Sequence, residues 1–182
     1  MSHSKPLAER VTDRQPIYSG RVVKLDLLSV ELPNGEMSQR EIITHPGAVA
    51  IVALDEQKQV LMVRQFRLAA NKIMLEIPAG TLEPNEPPMV CAERELQEET
   101  GYKPQKLEPL GGIFVAPGYT TEYIHLFIAT DLIESRLQMD GDEFIELEKM
   151  SMAEALRRID MGEIDDAKSI TALLRVARRL GV

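Results

Sequence analysis

The chain has 182 residues, 44% hydrophobic and 27% charged, with a formal net charge of −8 and an isoelectric point near 5.0. That length makes one domain, or one with a small appendage, and suffices for a sound core. The acidic balance leaves no basic stripe to neutralise a phosphate polymer, which excludes a nucleic-acid coating surface and makes nucleic acid an unexpected partner.

Residues 1–15 are polar and read as a loose arm. From Ile17 to Thr44 the pattern is strand, turn, strand. Val23, Leu25 and Leu27 alternate within residues 22–32, Pro33-Asn34-Gly35 marks the turn, and residues 37–43 run back. A two-stranded unit cannot stand alone and needs a surface to cover. Residues 47–54 and 60–66 are buried strands joined at Asp55-Glu56-Gln57-Lys58, and 74–77 is a short strand leading to Pro78-Ala79-Gly80. A helix follows from the Pro- and Glu-rich loop at 83–88 and ends at Gly101, placed for a left-handed cap. Strands are expected at 107–115, 122–129 and 144–149, and amphipathic helices at 151–161 and 166–180. Mostly strands with one early helix and two late ones imply an α/β fold, a mixed sheet covered on both faces. Cys91 is the single cysteine, which excludes an intrachain disulfide and fits a reducing compartment. No apolar run approaches the ~20 residues of a membrane span and the N-terminus has no signal-peptide core, so no membrane partner and a cytoplasmic location are expected.

The chemistry is concentrated in residues 80–102. Gly80, Glu86, Arg94, Glu95, Leu96, Glu98, Glu99, Gly101 and Tyr102 satisfy G-x5-E-x7-R-E-U-x-E-E-x-G-U, where U is bulky and apolar or aromatic. The seven fixed letters coincide by chance on the order of once in 10^8 starting positions. On a helix Glu95, Glu98 and Glu99, at i, i+3 and i+4, share a face, while Met89, Ala92 and Leu96 can pack inward. Three like charges on one face repel each other, and a hard divalent cation relieves that repulsion. Carboxylate oxygens suit Mg2+, Mn2+ or Ca2+, and Mg2+ typically bridges carboxylates and substrate phosphates.

This pattern resembles the Nudix box, the signature of hydrolases that cleave a nucleoside diphosphate linked to another group. The resemblance covers residues 44–180 and implies the Nudix α/β/α sandwich with a mixed sheet, preceded by a small N-terminal antiparallel β unit. On that division residues 1–44 form the arm and strand unit and 45–182 the hydrolase domain. Several further segments resemble the ADP-ribose pyrophosphatase branch: the strand unit from Tyr18 to Thr44, His45-Pro46-Gly47-Ala48-Val49, Gln65-Phe66-Arg67, Leu75-Glu76-Ile77-Pro78-Ala79-Gly80, and Pro117, sixteen residues beyond Gly101.

The implied substrate is ADP-ribose, cleaved to AMP and ribose 5-phosphate; GDP-mannose and UDP-glucose are the alternatives, and a nucleotide-sensing module without catalysis is a third. The implied cofactor is Mg2+, with Mn2+ as a substitute. Glu95, Glu98 and Glu99 are the metal carboxylates, and the resemblance adds the carbonyl of Ala79. Arg94 orients them by pairing with Glu86 or Glu95. A general base is needed near the attacking water; the family places a glutamate before the last strand, which matches Glu143, or else Asp142. Arg67 can pair with a phosphate or a terminal-ribose oxygen, or simply be solvated. Arg40 lies where the family makes adenine contacts, and Tyr18 or Val23 can complete that contact. Pro117 belongs to the substrate pattern, and Glu122 reaches the terminal sugar or ends a strand. His3, His45 and His125 lack metal-ligand spacing, and Met62 and Met74 read as core fillers. The family also implies a homodimer with exchanged N-terminal strands.

Overall fold

A computed structural model describes residues 7–137 and 144–182. These form two compact units, the first running to Pro46 and taking in Ala116–Glu122, the second comprising Gly47–Val115 and Tyr123–Val182.

The first unit is a three-stranded antiparallel sheet in the order β1 (Arg10–Ser19), β2 (Lys24–Glu31), β3 (Met37–Thr44). The expected loose arm is corrected here, because β1 pairs with β2 along its whole length. Its polar composition misleads for a physical reason: all ten residues of β1 are exposed, so backbone pairing and cross-strand contacts shape it rather than burial. Arg10 pairs with Glu31, Thr12 Oγ1 donates to the Ser29 carbonyl at 3.1 Å, and Arg14 reaches Asp26 at 2.8 Å. Pro16 is tolerated on this edge strand beside a register shift. The parity of β2 is also reversed. Asp26, Leu28 and Val30 are the buried positions, while Leu25 and Leu27 are half-buried. The Arg14 partner allows a carboxylate to turn inward with the apolar pair. The β2–β3 turn is as expected, with Gly35 at φ 89° and Asn34 Oδ1 accepting the Glu36 N–H at 3.1 Å. Residues 116–122 join β3 through Ile43 N–H to the Tyr119 carbonyl at 2.7 Å and Thr121 N–H to the Ile43 carbonyl at 2.9 Å.

The second unit is a mixed sheet between two helical layers. Its strands are β4 (Ala48–Leu54), β5 (Gln59–Arg67), β6 (Lys72–Glu76), β7 (Ala79–Thr81), β8 (Tyr102–Phe114), β9 (Tyr123–Glu134) and β10 (Ile145–Ser151). The path runs β10-β5-β4-β9-β8, with β6 on β5, β7 on β4, and β4 parallel to β9. Every residue of β4 is buried, so its alternate side chains serve two cores. Ala48, Ala50, Val52 and Leu54 meet α2 (Met152–Asp160) and α3 (Ala167–Leu180). Val49, Ile51 and Ala53 meet Cys91, Ala92 and Leu96 of α1 (Pro88–Thr100).

Met89 does not join that inward set, being 49% exposed in the first turn of α1. Cys91 takes its place, its Sγ donating to the Thr81 carbonyl at 3.6 Å. Met62 is fully buried, whereas Met74 is only half-buried. The helix boundaries follow their caps. Ser151 accepts the Glu154 N–H, Asp166 accepts those of Lys168 and Ser169, and Gly101 and Gly181 close α1 and α3 in the left-handed region.

Candidate active site

The site begins at a fork in the sheet. The last residues of β4, Ala53 and Leu54, pair with β5, but Ala48, Val49 and Ala50 pair with β7 instead. In the same way Val63 to Arg67 of β5 pair with β6. The connection from Ile77 through Thr81 is thereby laid between two diverging strands, with Ile51 N–H donating to the Pro78 carbonyl at 2.9 Å and Leu82 N–H to that of Gly47 at 3.1 Å. Antiparallel hydrogen bonding alternates, so the N–H and C=O of Ala79 and Thr81 turn away from β4, to the α1 side. Both α1 contacts there agree: Ala79 N–H donates to Glu99 Oε2 at 3.0 Å, and Thr81 C=O accepts from Cys91.

Gly80 is required for space. A Cβ at this position would lie 1.9 Å from Cδ of Glu95. The acidic row is also tucked inward rather than lying on the solvated side of α1, with Glu95 at 8% and Glu99 at 5% exposure.

Arg94 is the hub that makes this burial tolerable. Its Nε and Nη2 engage both oxygens of Glu86 at 2.9 and 3.0 Å, and its Nη1 reaches Glu95 at 2.8 Å and Glu98 at 2.9 Å. The expected choice between Glu86 and Glu95 is therefore not a choice, since one planar fork serves both and Glu98 as well. The Arg94 hydrogen bonds hold the Glu86 carboxyl down at about 2, against the opposing effect of burial. Burial, then the neighbouring Glu86, pushes the Cys91 thiol far above its ordinary value, so this cysteine is inert packing.

Arg67 is engaged rather than simply solvated. Its Nε contacts Glu76 Oε1 at 3.1 Å and its Nη2 contacts Glu76 Oε2 at 2.7 Å. Burial of Glu76 favours its neutral form, but Arg67 and Lys168 outweigh that and hold its pKa below the ordinary value. Glu76 closes β6, so the Arg67–Glu76 pair stands where the chain enters the Ile77–Thr81 connection.

Oxygen donors alone (Glu95, Glu98, Glu99 and the α1-side carbonyl of Ala79) form a set chemically fitted to a hard divalent ion. Among the described residues no three acidic, histidine or cysteine side chains converge as a ready metal cluster. Arg94 supplies the counter-charge to Glu95 and Glu98 in this conformation.

The remaining expected residues are distributed differently. Tyr18 on β1, Arg40 on β3, and Pro117 and Glu122 in the 116–122 segment belong to the first unit. Tyr18 is 59% exposed, and Arg40 is held by Glu9 at 2.6 Å and by the Gln39 carbonyl at 2.8 Å. Glu143 and Asp142 lie outside the described residues. Sequence reasoning missed Glu76, Lys168 and Ser169 at this end of the sheet, because only cross-strand register and helix docking bring them together.

A model of the NUDIX domain matches residues 44–173. The chain belongs to the Nudix family. An ADP-ribose pyrophosphatase of Bacillus subtilis (strain 168) is 41% identical to this Nudix hydrolase over 171 residues, covering 93% of this chain and 92% of the relative. A Bacillus methanolicus protein named methanol dehydrogenase activator is 44% identical over 171 residues, with 93% and 92% covered. A crystal structure of an ADP compounds hydrolase superposes on the Nudix chain with a TM-score of 0.88 at 23% identity, covering 98% of this chain and 97% of that one. That last likeness concerns the fold, which is the α/β/α sandwich expected from the box. No described helix of the Nudix chain is long and apolar enough to cross a membrane.

Proposed function

We propose that this Nudix hydrolase cleaves the diphosphate of ADP-ribose to AMP and ribose 5-phosphate, using Mg2+ with Mn2+ as a substitute. Nudix hydrolases generally depend on a divalent metal. The observation that carries the reading is the packing of the Glu95 carboxylate against Gly80 beside the Glu99–Ala79 contact, with Arg94 binding Glu86, Glu95 and Glu98. The name of the Bacillus subtilis relative supports ADP-ribose in particular.

In this reading Glu95, Glu98, Glu99 and the Ala79 carbonyl hold the cation. Neutralisation of the diphosphate and acidification of an attacking water are what the bound cation contributes. Arg94 keeps the carboxylates from repelling one another and fixes their rotamers. Arg67 offers its outer edge to a diphosphate oxygen. Glu143, or failing it Asp142, takes the proton of the water. Arg40 and Tyr18 contact the adenine, while Pro117 and Glu122 border the terminal sugar. The enzyme works as a homodimer with exchanged N-terminal strands, in the cytoplasm.

Hydrolysis of ADP-ribose, GDP-mannose and UDP-glucose with Mg2+, before and after chelation, tests this, with products resolved in 18O-labelled water. ADP-ribose is expected to lead by about tenfold or more in kcat/KM, with activity lost on chelation and restored by Mg2+. Equal rates on all three, or preference for another sugar, overturn the substrate assignment, and turnover unaffected by chelation overturns the metal assignment.

A further inference from the structure

The first turn of α3 reaches the candidate site from the helical layer opposite α1. Lys168 places Nζ 2.7 Å from Glu76 Oε2 and 2.9 Å from Asp166 Oδ1. Glu76 is 2% exposed and engages the Nε–Nη2 edge of Arg67. Asp166 Oδ1 also accepts the Lys168 N–H at 3.1 Å, which makes the same carboxylate both helix cap and lysine anchor. The result is a continuous ionic chain, Asp166–Lys168–Glu76–Arg67, anchored at the end of β6, three residues before Ala79.

Stability does not account for such a chain. Replacing buried ion pairs by apolar groups of similar volume is often neutral or favourable, so their stabilising value is small. Asp166 additionally keeps Oδ2 buried without a hydrogen-bond partner among the described residues, a cost that a plain helix cap does not require. The chain does provide orientation. A guanidinium is planar and rigid, so pinning its Nε–Nη2 edge also fixes the direction of its Nη1 edge. Lys168 prevents Glu76 from swinging, because a carboxylate held from two sides cannot rotate without exposing a buried charge.

We propose that Glu76, Lys168 and Asp166 are positioning residues for Arg67, holding its Nη1 edge in the orientation that receives a substrate diphosphate oxygen. This rests on the hydrolase reading above. It makes α3 part of the substrate-binding apparatus as well as of the core.

ADP-ribose hydrolysis is measured for the wild type, Arg67→Ala, Lys168→Met, Lys168→Arg and the double variant Arg67→Ala with Lys168→Met. Lys168→Met is expected to raise KM about tenfold while kcat stays within about threefold, the signature of lost ground-state and transition-state binding alike. Lys168→Arg recovers most of that loss. The double variant is at most about twofold worse than Arg67→Ala alone, because Lys168 acts only through Arg67. A purely structural lysine would give independent, multiplying effects.

Wild-type KM in Lys168→Met, or losses that multiply in the double variant, overturn the positioning chain while the hydrolase reading stands. A wild type inert toward every nucleoside diphosphate sugar overturns that reading, and the chain falls with it. If Lys168→Met fails to fold, Glu76→Gln, which keeps the side-chain shape, is compared with Arg67→Ala in the same way.

Discussion

Glu86 shows how one side chain can carry both geometry and stability. It takes two hydrogen bonds from Arg94 and the Glu83 N–H at 3.0 Å, so it fixes the loop leading into α1 as well as the arginine that serves Glu95 and Glu98. Its carboxyl titrates at about 2 in the fold, below the ordinary 4.5. A depressed carboxylate stabilises the fold at pH values above its unfolded pKa. That contribution is lost as the pH falls from about 4.5 to about 2. The full shift is discounted by solvent screening at this loop, which leaves about 2 kcal/mol at pH 7. Glu86→Gln is therefore expected to unfold at lower urea at pH 7, with its deficit relative to wild type shrinking steadily toward pH 2. A deficit constant over that window would show that Glu86 acts by packing alone. At this scale the box residues were legible in the sequence because their offsets within one helix determine their mutual positions. The Arg67–Glu76 pair was not, since the partners stand nine positions apart across a hairpin and only strand register joins them.

Elements were legible in proportion to how locally they are specified. Helices α2 and α3 match expectation to within a residue at each end, because Ser151 with Glu154, Asp166, and Gly181 are caps readable from sequence. Strands β8 and β9 extend well beyond the expected ranges. Lys103, Pro104 and Lys106 break the apolar pattern, yet they pair with Ile133, Leu132 and Thr130 of the neighbouring strand. The same pairing logic hid β1. How α3 docks on the β6–β7 connection was equally invisible, and Ser169 makes it testable. Its Oγ, fully buried, accepts the Ile77 N–H at 2.9 Å, two residues before Ala79. Ser169→Ala leaves that buried donor unpaired, at about 1–3 kcal/mol. Urea denaturation is expected to report that loss with an unchanged m-value, since the same surface is exposed on unfolding. A loss below about 0.5 kcal/mol would mean the N–H finds another partner and the link is dispensable.

At the scale of the molecule the first unit poses a problem that the second does not. The second unit encloses two apolar cores. The first has three strands, and β1 is exposed at every position, including Val11 at 53%, Ile17 at 53% and Tyr18 at 59%. Leu7, Val22 and Met37 of the same unit are exposed as well. These exposed apolar side chains are what the homodimer proposed above would cover. In that proposal an isologous contact between two copies would serve, because each chain would present the same strand to the other. Sedimentation at about 10 µM is then expected to give a particle of twice 20.4 kDa. Val11→Asp with Ile17→Asp leaves Tyr18 and Arg40 untouched and puts charge into the contact on a strand that buries nothing in its own chain, so folding persists while dimerisation weakens by about a hundredfold or more. Arg40 belongs to the sheet that this contact would order, so KM for ADP-ribose is expected to rise on dissociation, with kcat falling less. A wild-type monomer at that concentration removes the dimer from the account. A dissociated variant with unchanged KM keeps the dimer but frees adenine recognition from it.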